Sequence, residues 1–353
     1  MSYKPLLPSA TLLDAVQAIE FTEKRAAVIV NEENKLLGTI TDGDIRRKLL
    51  TGGTLQDLAI KAMNTQPITA KKGTSAETLM HLMKKRNVLI IPIVTNTNNF
   101  VELIHLKDLD NDSVRDLYQE STYDFAVIMA GGKGVRLRPV TNNIPKPMLE
   151  VGGVPLLERQ IISLSRIGIK KIYISVNYLS NQIEEYFKDG SRYNTQISYL
   201  KESTKMGTAG SISLITEDPI APFLIINGDI FTNSNFNALL DYHNSNNAEV
   251  TVATTSYSIE IPYGVIEMKN GEVMGISEKP TQKYLCNAGI YSVSPTTFSF
   301  FSKFKIQTMP DLISLLLKKG LKVSAFPVHE YWIDIGTPED LKKVREFYNT
   351  KNI

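Results

Sequence analysis

The chain has 353 residues, of which 42% are hydrophobic and 22% are charged, a composition typical of soluble globular proteins. Thirty-nine Lys and Arg against 37 Asp and Glu leave a formal net charge of +2, so no strong global field favours nucleic acid or a membrane surface as a partner. The single cysteine, Cys286, excludes an internal disulfide framework and a cysteine-rich zinc site. The N-terminus lacks the apolar stretch of a secretory signal, and no run reaches the ~20 apolar residues of a membrane helix. We therefore expect a cytoplasmic protein of about two domains.

The first third of the sequence contains an internal repeat. Residues 11–16 (Thr-Leu-Leu-Asp-Ala-Val) and 74–79 (Thr-Ser-Ala-Glu-Thr-Leu) each open an amphipathic helix behind a capping-type residue. A short strand rich in β-branched residues follows at the matching offset in each copy, at 27–30 and at 91–94. Two copies of a helix–strand–strand–helix unit are therefore predicted. Two copies are too few for a solenoid and indicate a paired α+β module.

A second domain follows this module. We assign residues 1–118 to the module, 119–123 to a linker and 124–353 to the second domain. From Phe125 onward buried strands and amphipathic helices alternate, which favours an α/β fold with a doubly wound, mainly parallel, Rossmann-like sheet. Asn270 and Gly271 lie between two strand-like runs and are typical of a type I′ hairpin, so we expect an antiparallel insertion.

A glycine-rich loop follows the first strand of the second domain, at residues 130–137 (Ala-Gly-Gly-Lys-Gly-Val-Arg-Leu). Its glycines allow the backbone to approach a polyphosphate and to direct N–H groups at it. The loop is not a P-loop, because Gly134 rather than Ser or Thr follows Lys133, and the dinucleotide fingerprint lacks its last glycine. Three cations that could bind phosphate oxygens follow, namely Arg136, Arg138 and Lys146.

The continuation of this loop resembles the signature of the sugar-1-phosphate nucleotidyltransferases. Residues 131–141 (Gly-Gly-Lys-Gly-Val-Arg-Leu-Arg-Pro-Val-Thr) and 146–148 (Lys-Pro-Met) form a long motif with few chance matches. The resemblance covers essentially all of residues 124–350, although Val154 stands where many members carry a lysine. It continues in the family's order through residues 207–210 (Gly-Thr-Ala-Gly), 227–229 (Asn-Gly-Asp), 278–280 (Glu-Lys-Pro), 287–289 (Asn-Ala-Gly) and 334–338 (Asp-Ile-Gly-Thr-Pro).

The N-terminal repeat resembles a tandem CBS pair. The whole arrangement is similar to the CBS-fused glucosamine-1-phosphate guanylyltransferases of legionaminic acid biosynthesis. The resemblance implies that an oxygen of a sugar 1-phosphate attacks the α-phosphorus of a nucleoside triphosphate, with GTP and glucosamine 1-phosphate favoured as substrates. A mannose, heptose or glucose 1-phosphate enzyme that uses GTP, UTP or dTTP is the alternative within the family, and a non-catalytic, nucleotide-sensing regulatory protein is the alternative outside it.

The resemblance also implies a role for each motif residue. Because the nucleophile belongs to the substrate, the chain positions the reactants and neutralises charge, with Mg²⁺ as the implied cofactor. Asp229 and Asp334 would hold the metal, with helix N-capping as the alternative for each, and Arg136 and Lys146 would be the catalytic cations. The nucleotide would be bound by Ala130, Gly131, Gly132, Gly134, Gly207, Thr208, Ala209, Asn227 and Gly228. The sugar phosphate would be bound by Gly264, Glu278, Lys279, Asn287 and Gly289.

In the CBS pattern, a Ser or Thr three residues before an Asp contacts the ribose of a nucleotide. Thr41 and Asp44 match this pattern in the first repeat, and His105 and Asp108 are their counterparts in the second, where Glu102 replaces a glycine. An adenine or guanine nucleotide is therefore the expected ligand of this module, and a dimerisation platform without a ligand is the alternative. Since paired CBS modules commonly associate, we also expect a homo-oligomer.

Overall fold

The computed structural model describes residues 4–22, 25–86, 88–109, 122–202, 206–303 and 305–351. Contacts between residues divide the chain into two compact units, Met1–Glu120 and Ser121–Ile353. Most of the predicted linker, at 119–123, lies outside the described residues. Within the described ranges, no helix is both long enough and apolar enough to cross a membrane.

The N-terminal unit contains the predicted repeat. In each copy a helix precedes two antiparallel strands, which place Ala27 opposite Ile40 and Ile91 opposite Ile104. The predicted closing helix of the second copy falls largely outside the described residues. The elements of this unit are α1 (Leu12–Thr22), β1 (Ala26–Val30), β2 (Leu36–Thr41), α2 (Asp42–Leu50), β3 (Ala70–Lys71), α3 (Ala76–Arg86), β4 (Ile90–Val94) and β5 (Phe100–His105).

The C-terminal unit alternates strands and helices as the sequence predicts. Its first elements are β6 (Ala126–Met129), β7 (Glu150–Val151), β8 (Val154–Pro155), α4 (Leu156–Arg166), β9 (Lys171–Val176), α5 (Ser180–Phe187), β10 (Gln196–Lys201), α6 (Gly207–Gly210), β11 (Phe223–Asn227), β12 (Ile230–Thr232) and α7 (Phe236–Asn246). The later ones are β13 (Val250–Glu260), β14 (Val265–Lys269), β15 (Glu272–Ser277), β16 (Thr281–Val293), α8 (Pro295–Lys303), α9 (Met309–Lys318), β17 (Val323–Pro327), β18 (Trp332–Asp334) and α10 (Pro338–Lys351).

Seven of these strands form one sheet in the order β10-β9-β6-β11-β16-β13-β17, in which only the pairings made by β16 are antiparallel. Helices cover both faces of the sheet. Successive residues of a strand point to opposite faces, so neighbouring residues of β6 pack against different helices. Ile128 packs in the core that holds Ile161 of α4, whereas Val127 packs in the core that holds Leu312 of α9. The doubly wound, mainly parallel fold is therefore confirmed. The strand order reverses between β6 and β11, where ligands bind in open α/β sheets.

The antiparallel insertion is confirmed as well. β13 and β16 pair antiparallel from Val250 opposite Val293 outward to Glu260 opposite Thr281, and the β14–β15 hairpin lies between them in the sequence. Asn270 and Gly271 form the hairpin turn with φ angles of +51° and +90°. Two consecutive positive φ angles are what a type I′ turn requires, and these two residues tolerate them.

His243 on α7 is a buried, neutral histidine, with 2% of its surface exposed. The Ser294 hydroxyl donates to the Ala248 carbonyl at 2.7 Å, so it accepts from Nε2–H of His243 at 3.1 Å. Nδ1 is then left to accept from the Thr251 hydroxyl at 2.9 Å. Burial lowers the pKa of His243 from 6.5 to about 4.

This histidine predicts a stability that depends on pH. Between pH 6.5 and 4 the unfolded chain binds a proton that the folded chain excludes, so stability falls as the pH falls through this window. We expect the loss from this one group to approach about 3 kcal/mol. The free energy of unfolding is measured at pH 7 and at pH 4.5, in the wild type and in His243→Gln, by urea unfolding followed through the fluorescence of Trp332, the single tryptophan. If the free energies of unfolding of the wild type and of His243→Gln differ by the same amount at both pH values, His243 is not the group responsible for the pH dependence.

Candidate active site

A cavity of about 210 Å³ opens where the carboxyl ends of the parallel strands β6, β9 and β11 meet. Its lining combines glycine backbone, one ammonium group and two carboxylates. The lining residues are Met129, Ala130, Gly131, Gly132, Lys146, Pro147, Ser175, Glu202, Gly207, Asn227 and Asp229. Of the residues that the sequence assigns to the nucleotide, the cavity thus brings together Ala130, Gly131, Gly132, Gly207 and Asn227.

The glycine-rich loop is braced by the segment that carries Lys146. Gly134 has a φ of +59°, and a Cβ atom there would lie 3.1 Å from the Thr141 methyl group and 3.2 Å from Cβ of Lys146. The buried Thr141 hydroxyl also donates to the Gly134 carbonyl at 2.7 Å. Gly134 is therefore required for close packing of the loop on itself, while Gly131 and Gly132 present backbone to the cavity.

The Lys146 ammonium lies between two carboxylates. Its Nζ is 2.5 Å from Oδ2 of Asp229 and 3.6 Å from Oδ1 of Asp334. β12 and β18 place Ile230 opposite Asp334, and the Ile335 N–H donates to the Asp229 carbonyl at 3.0 Å. This antiparallel pairing brings together the two aspartates, which are far apart in the sequence, and Lys146 reaches them from the segment packed on the glycine-rich loop.

The two aspartates interact unfavourably with each other. Partial burial and then the Asp229 charge raise the pKa of Asp334, whereas the cations Lys146 and Arg136 lower it. The Arg136 guanidinium lies beside Gly336, where a Cβ atom would be 3.4 Å from Nη2. One ammonium and one guanidinium group thus offset the negative charge of this cluster.

Helix N-capping is the wrong explanation for the two aspartates. Asp229 leads into the strand β12 and not into a helix. Asp334 is followed by α10, but that helix is capped by Thr337 and Asp340, whose side chain accepts from the Thr337 N–H at 2.8 Å and from its hydroxyl at 2.7 Å. Both carboxylates are therefore left for another role.

The donor set fits Mg²⁺. Carboxylate oxygens are hard ligands, and Mg²⁺ in phosphate-transfer sites is held by one or two carboxylates together with water and substrate oxygens. In the described part of the chain, no group of three or more His, Cys, Asp and Glu side chains is arranged to hold a metal. Asp229 and Asp334, held close together at the cavity edge by the Lys146 ammonium, would supply the two carboxylates of such a magnesium shell.

Glu202 is a cavity residue that sequence analysis missed. It follows β10 directly, and its Oε1 accepts from the Ser175 hydroxyl at 2.7 Å. A Cβ atom at Gly131 would lie 3.3 Å from the same oxygen, so the carboxylate faces the glycine loop. Glu202 could have been found in the sequence by its position just beyond a predicted parallel strand, because such positions meet at the carboxyl edge of the sheet.

Only part of α6, at residues 207–210, faces the cavity. Gly207 lines it with a φ of +79°, and a Cβ atom there would be 2.4 Å from the Gln307 carbonyl oxygen. Ala209 is fully buried in the core, and its N–H donates to the same carbonyl at 2.8 Å, so it presents neither group to a base. The Thr208 side chain lies outside the described part of the structure. Gly228 packs against β6, since its N–H donates to the Met129 carbonyl at 3.0 Å.

None of the five residues assigned to the sugar phosphate belongs to the described lining of the cavity. The five residues divide into two groups. Gly289 borders the cavity, because a Cβ atom there would be 2.6 Å from Nδ2 of Asn227, and its N–H donates to Oδ1 of Asn287 at 2.9 Å. The other group lies at the base of the β14–β15 hairpin, where a Cβ atom at Gly264 would be 3.1 Å from Oε2 of Glu278. Lys279 follows Glu278, exposed and with a φ of +44°.

In the N-terminal unit, the residues assigned to a CBS ligand bond to each other. Asp44 accepts from the Thr41 N–H at 2.8 Å and from its hydroxyl at 2.6 Å, which caps α2. Asp108 accepts from the His105 N–H at 2.8 Å, the same backbone bond in the second repeat. Gly38 is the glycine that Glu102 replaces in the second repeat. A Cβ atom at Gly38 would lie 2.4 Å from the Asn64 carbonyl oxygen, so this glycine admits the chain's own backbone.

Comparison with known proteins decides the family. Residues 125–351 match the model of the nucleotidyl transferase family. This chain belongs to that family. Residues 3–51 and 56–112 each match the CBS domain, so the transferase sequence is preceded by a CBS pair.

Among curated relatives, the mannose-1-phosphate guanyltransferase of Yarrowia lipolytica is 33% identical over 226 residues, and the match covers 61% of this chain and 61% of that protein. The catalytic subunit beta of the mannose-1-phosphate guanylyltransferase of Dictyostelium discoideum is 32% identical over 230 residues, 61% of this chain and 62% of that protein. A Bacillus anthracis structure, assigned provisionally as a glucose-1-phosphate thymidylyltransferase, has a TM-score of 0.51 at 21% identity and covers 63% of this chain and 94% of its own. This last likeness supports the fold alone.

Proposed function

We propose that this chain transfers a guanylyl group from GTP to a hexose 1-phosphate and releases pyrophosphate. The observation that carries the proposal is Lys146, held between Asp229 and Asp334 at the edge of a glycine-lined cavity. This arrangement combines glycine backbone that a phosphate can approach closely with a cation and a pair of metal-type ligands. Membership of the nucleotidyl transferase family and the guanylyltransferase names of its relatives support the same reaction.

In the proposed reaction an oxygen of the sugar phosphate attacks the α-phosphorus, and pyrophosphate leaves with the electrons of the broken P–O bond. The chain contributes charge and position rather than a nucleophile. Backbone N–H groups of Gly131 and Gly132 receive the triphosphate, and Lys146 and Arg136 neutralise its oxygens. Mg²⁺ held by Asp229 and Asp334 would stabilise the negative charge that develops on the phosphate oxygens.

The choice of GTP is supported by the Glu202 carboxylate in the cavity wall. Guanine presents two adjacent donors, N1–H and the 2-amino group, and a carboxylate accepts from both with charge-assisted bonds. Uracil and thymine present a single N–H between two carbonyl oxygens, which the second carboxylate oxygen would repel. The Ser175 hydroxyl bond to Oε1 holds the carboxylate in place and leaves further lone pairs for a base.

Glu202→Gln is therefore expected to change the choice of base. We expect kcat/KM for GTP to fall by about 100-fold, because one charged acceptor is replaced by an amide donor, while dTTP and UTP gain relative to GTP. Pyrophosphate release with each triphosphate measures the ratio. Glu217→Gln, which removes the exposed carboxylate paired with Lys171, is the matched control and should leave the ratio unchanged. An unaltered preference for GTP in Glu202→Gln would refute this account of base recognition.

Two sugars are supported by different observations. The names of the relatives support mannose 1-phosphate, whereas the likeness of the CBS-fused arrangement to the enzymes of legionaminic acid biosynthesis supports glucosamine 1-phosphate. Near the expected sugar site, Oδ1 of Asn287 accepts from the Gly289 N–H and its Nδ2 donates to the Tyr291 hydroxyl, and these bonds do not distinguish the two sugars.

Pyrophosphate release tests the proposal directly. GTP, UTP, dTTP, CTP and ATP are each paired with the 1-phosphates of mannose, glucosamine, N-acetylglucosamine and glucose, in the presence of Mg²⁺. Release with GTP and one of these sugars is the expected result. No release with any pair, together with nucleotide binding to the full chain, would favour the regulatory function instead.

A further inference from the structure

Gln160 is a buried polar side chain with no part in the proposed chemistry. It is 6% exposed and lies on α4 beside the fully buried Leu157 and Ile161. Its Nε2 donates to the carbonyl oxygens of Asn227 at 2.9 Å and of Ile230 at 2.8 Å. Because both partners can only accept, the amide nitrogen must face them, and the orientation of the side chain follows from its chemistry.

The two carbonyl groups flank the turn that carries Asp229. Asn227 ends β11 and Ile230 begins β12, so the Gln160 amide closes the turn from the side of α4. On its other sides the turn is held by the Ile335 N–H, which donates to the Asp229 carbonyl, and by the Gly228 N–H, which donates to the Met129 carbonyl, each at 3.0 Å. Gln160 supplies the side-chain restraint in this set.

Packing of α4 does not by itself favour a glutamine here. Oε1 of Gln160 is buried and has no hydrogen-bond partner among the described residues. A buried acceptor without a partner costs free energy, whereas an apolar side chain would match the neighbouring surface of the helix. What the amide contributes beyond packing is the geometry of the 227–230 turn.

We infer that Gln160 is a positioning residue, which holds the Asp229 carboxylate opposite Lys146 and Asp334 by bonding both ends of the turn. The inference rests on the proposed function, in which Asp229 binds the metal. Residues behind metal ligands commonly change metal affinity or activity by about 10- to 100-fold when they are replaced.

The test compares two variants with a matched control. Gln160→Met keeps the volume and removes both donors, and Gln160→Asn keeps the amide but shortens its reach, which is a milder change should the first variant fold poorly. Ser165→Ala is the control, since its hydroxyl on the same helix donates to the Tyr193 carbonyl at 2.6 Å and its loss removes a comparable bond elsewhere. Binding of Mn²⁺ alone is measured from the free ion by electron paramagnetic resonance, with Asp229→Asn as the blank, alongside melting temperature, kcat and KM.

We expect both Gln160 variants to raise the Kd for Mn²⁺ by about tenfold and to lower kcat to a similar extent, with a smaller change in the KM for GTP. Ser165→Ala should lower the melting temperature comparably and leave Kd and kcat as in the wild type. The inference is overturned if the Gln160 variants bind Mn²⁺ with the same affinity as Ser165→Ala. It is also overturned if the Mn²⁺ binding isotherm of the wild type equals that of Asp229→Asn. Mn²⁺ binding that depends on Gln160 without pyrophosphate release from any substrate pair would overturn the proposed function and leave the positioning role intact.

Discussion

Asp229→Asn is expected to fold normally and to lose turnover by about a thousandfold or more. The isosteric amide removes the negative charge that holds the metal, and metal stabilisation of transition-state charge is worth several kcal/mol, of which about 1.4 kcal/mol corresponds to each factor of ten. The variant also loses the 2.5 Å ion pair with Lys146. Steady-state pyrophosphate release and the Mn²⁺ isotherm measure the two effects, and circular dichroism checks the fold.

Asp340→Asn provides the control for the loss of a carboxylate. Asp340 caps α10 through bonds to Thr337, so the control should lower stability by about 1 kcal/mol while turnover stays within twofold of the wild type, because the cap lies outside the cavity lining. Turnover of Asp229→Asn within tenfold of the wild type, with Mg²⁺ present, would show that this aspartate is not a metal ligand.

Lys146→Met is expected to separate turnover from metal binding. Removal of the ammonium group should lower kcat by about 100-fold or more, since a charged donor to the developing phosphate charge is lost. Metal affinity should move in the opposite direction. Lys146 is the cation that contacts both Asp229 and Asp334, so a divalent ion must compete with it for the same carboxylates. The Kd for Mn²⁺ should therefore fall, and the melting temperature of the metal-free variant should fall as the two carboxylates repel each other.

Lys171→Met removes a lysine whose ammonium pairs with Glu217 at the surface, and it serves as the control. Surface pairs contribute about 0–1 kcal/mol, so neither turnover nor metal affinity should change. Weaker Mn²⁺ binding in Lys146→Met than in the wild type would contradict the competition between the lysine and the metal. Unchanged turnover would remove Lys146 from the proposed reaction.

Local patterns were sufficient to predict much of the fold. The apolar run that begins at Phe125, the alternation of strands and helices after it and the Asn270-Gly271 turn all depend on neighbouring residues, and each is present in the structure. Strand periodicity and turn chemistry act over a few residues, so a sequence contains them in readable form. The glycine loop was found for the same reason, because its glycines and the cations after it are close in sequence.

The candidate site depends on residues that are distant in sequence. Lys146 meets Asp229 across 83 positions because the 227–230 turn and the segment that carries Lys146 both pack against the glycine loop. Asp334 joins them because β12 pairs with β18. Glu202 and Gln160 carried no local motif, and their roles follow from the groups opposite them: the Ser175 hydroxyl and Gly131 for the first, two carbonyls of one turn for the second.

The sequence by itself determined the order of elements, the glycine loop and the chemical types available for phosphate and metal. Only the tertiary structure decided which of these groups meet. It placed Ala209 in the core and Gly134 against Thr141, while Asp229, Asp334 and Lys146 came together at the cavity edge. The physical reason is that hydrogen-bond partners and charge pairs form across strands and turns, so their identity depends on long-range packing that no local pattern encodes.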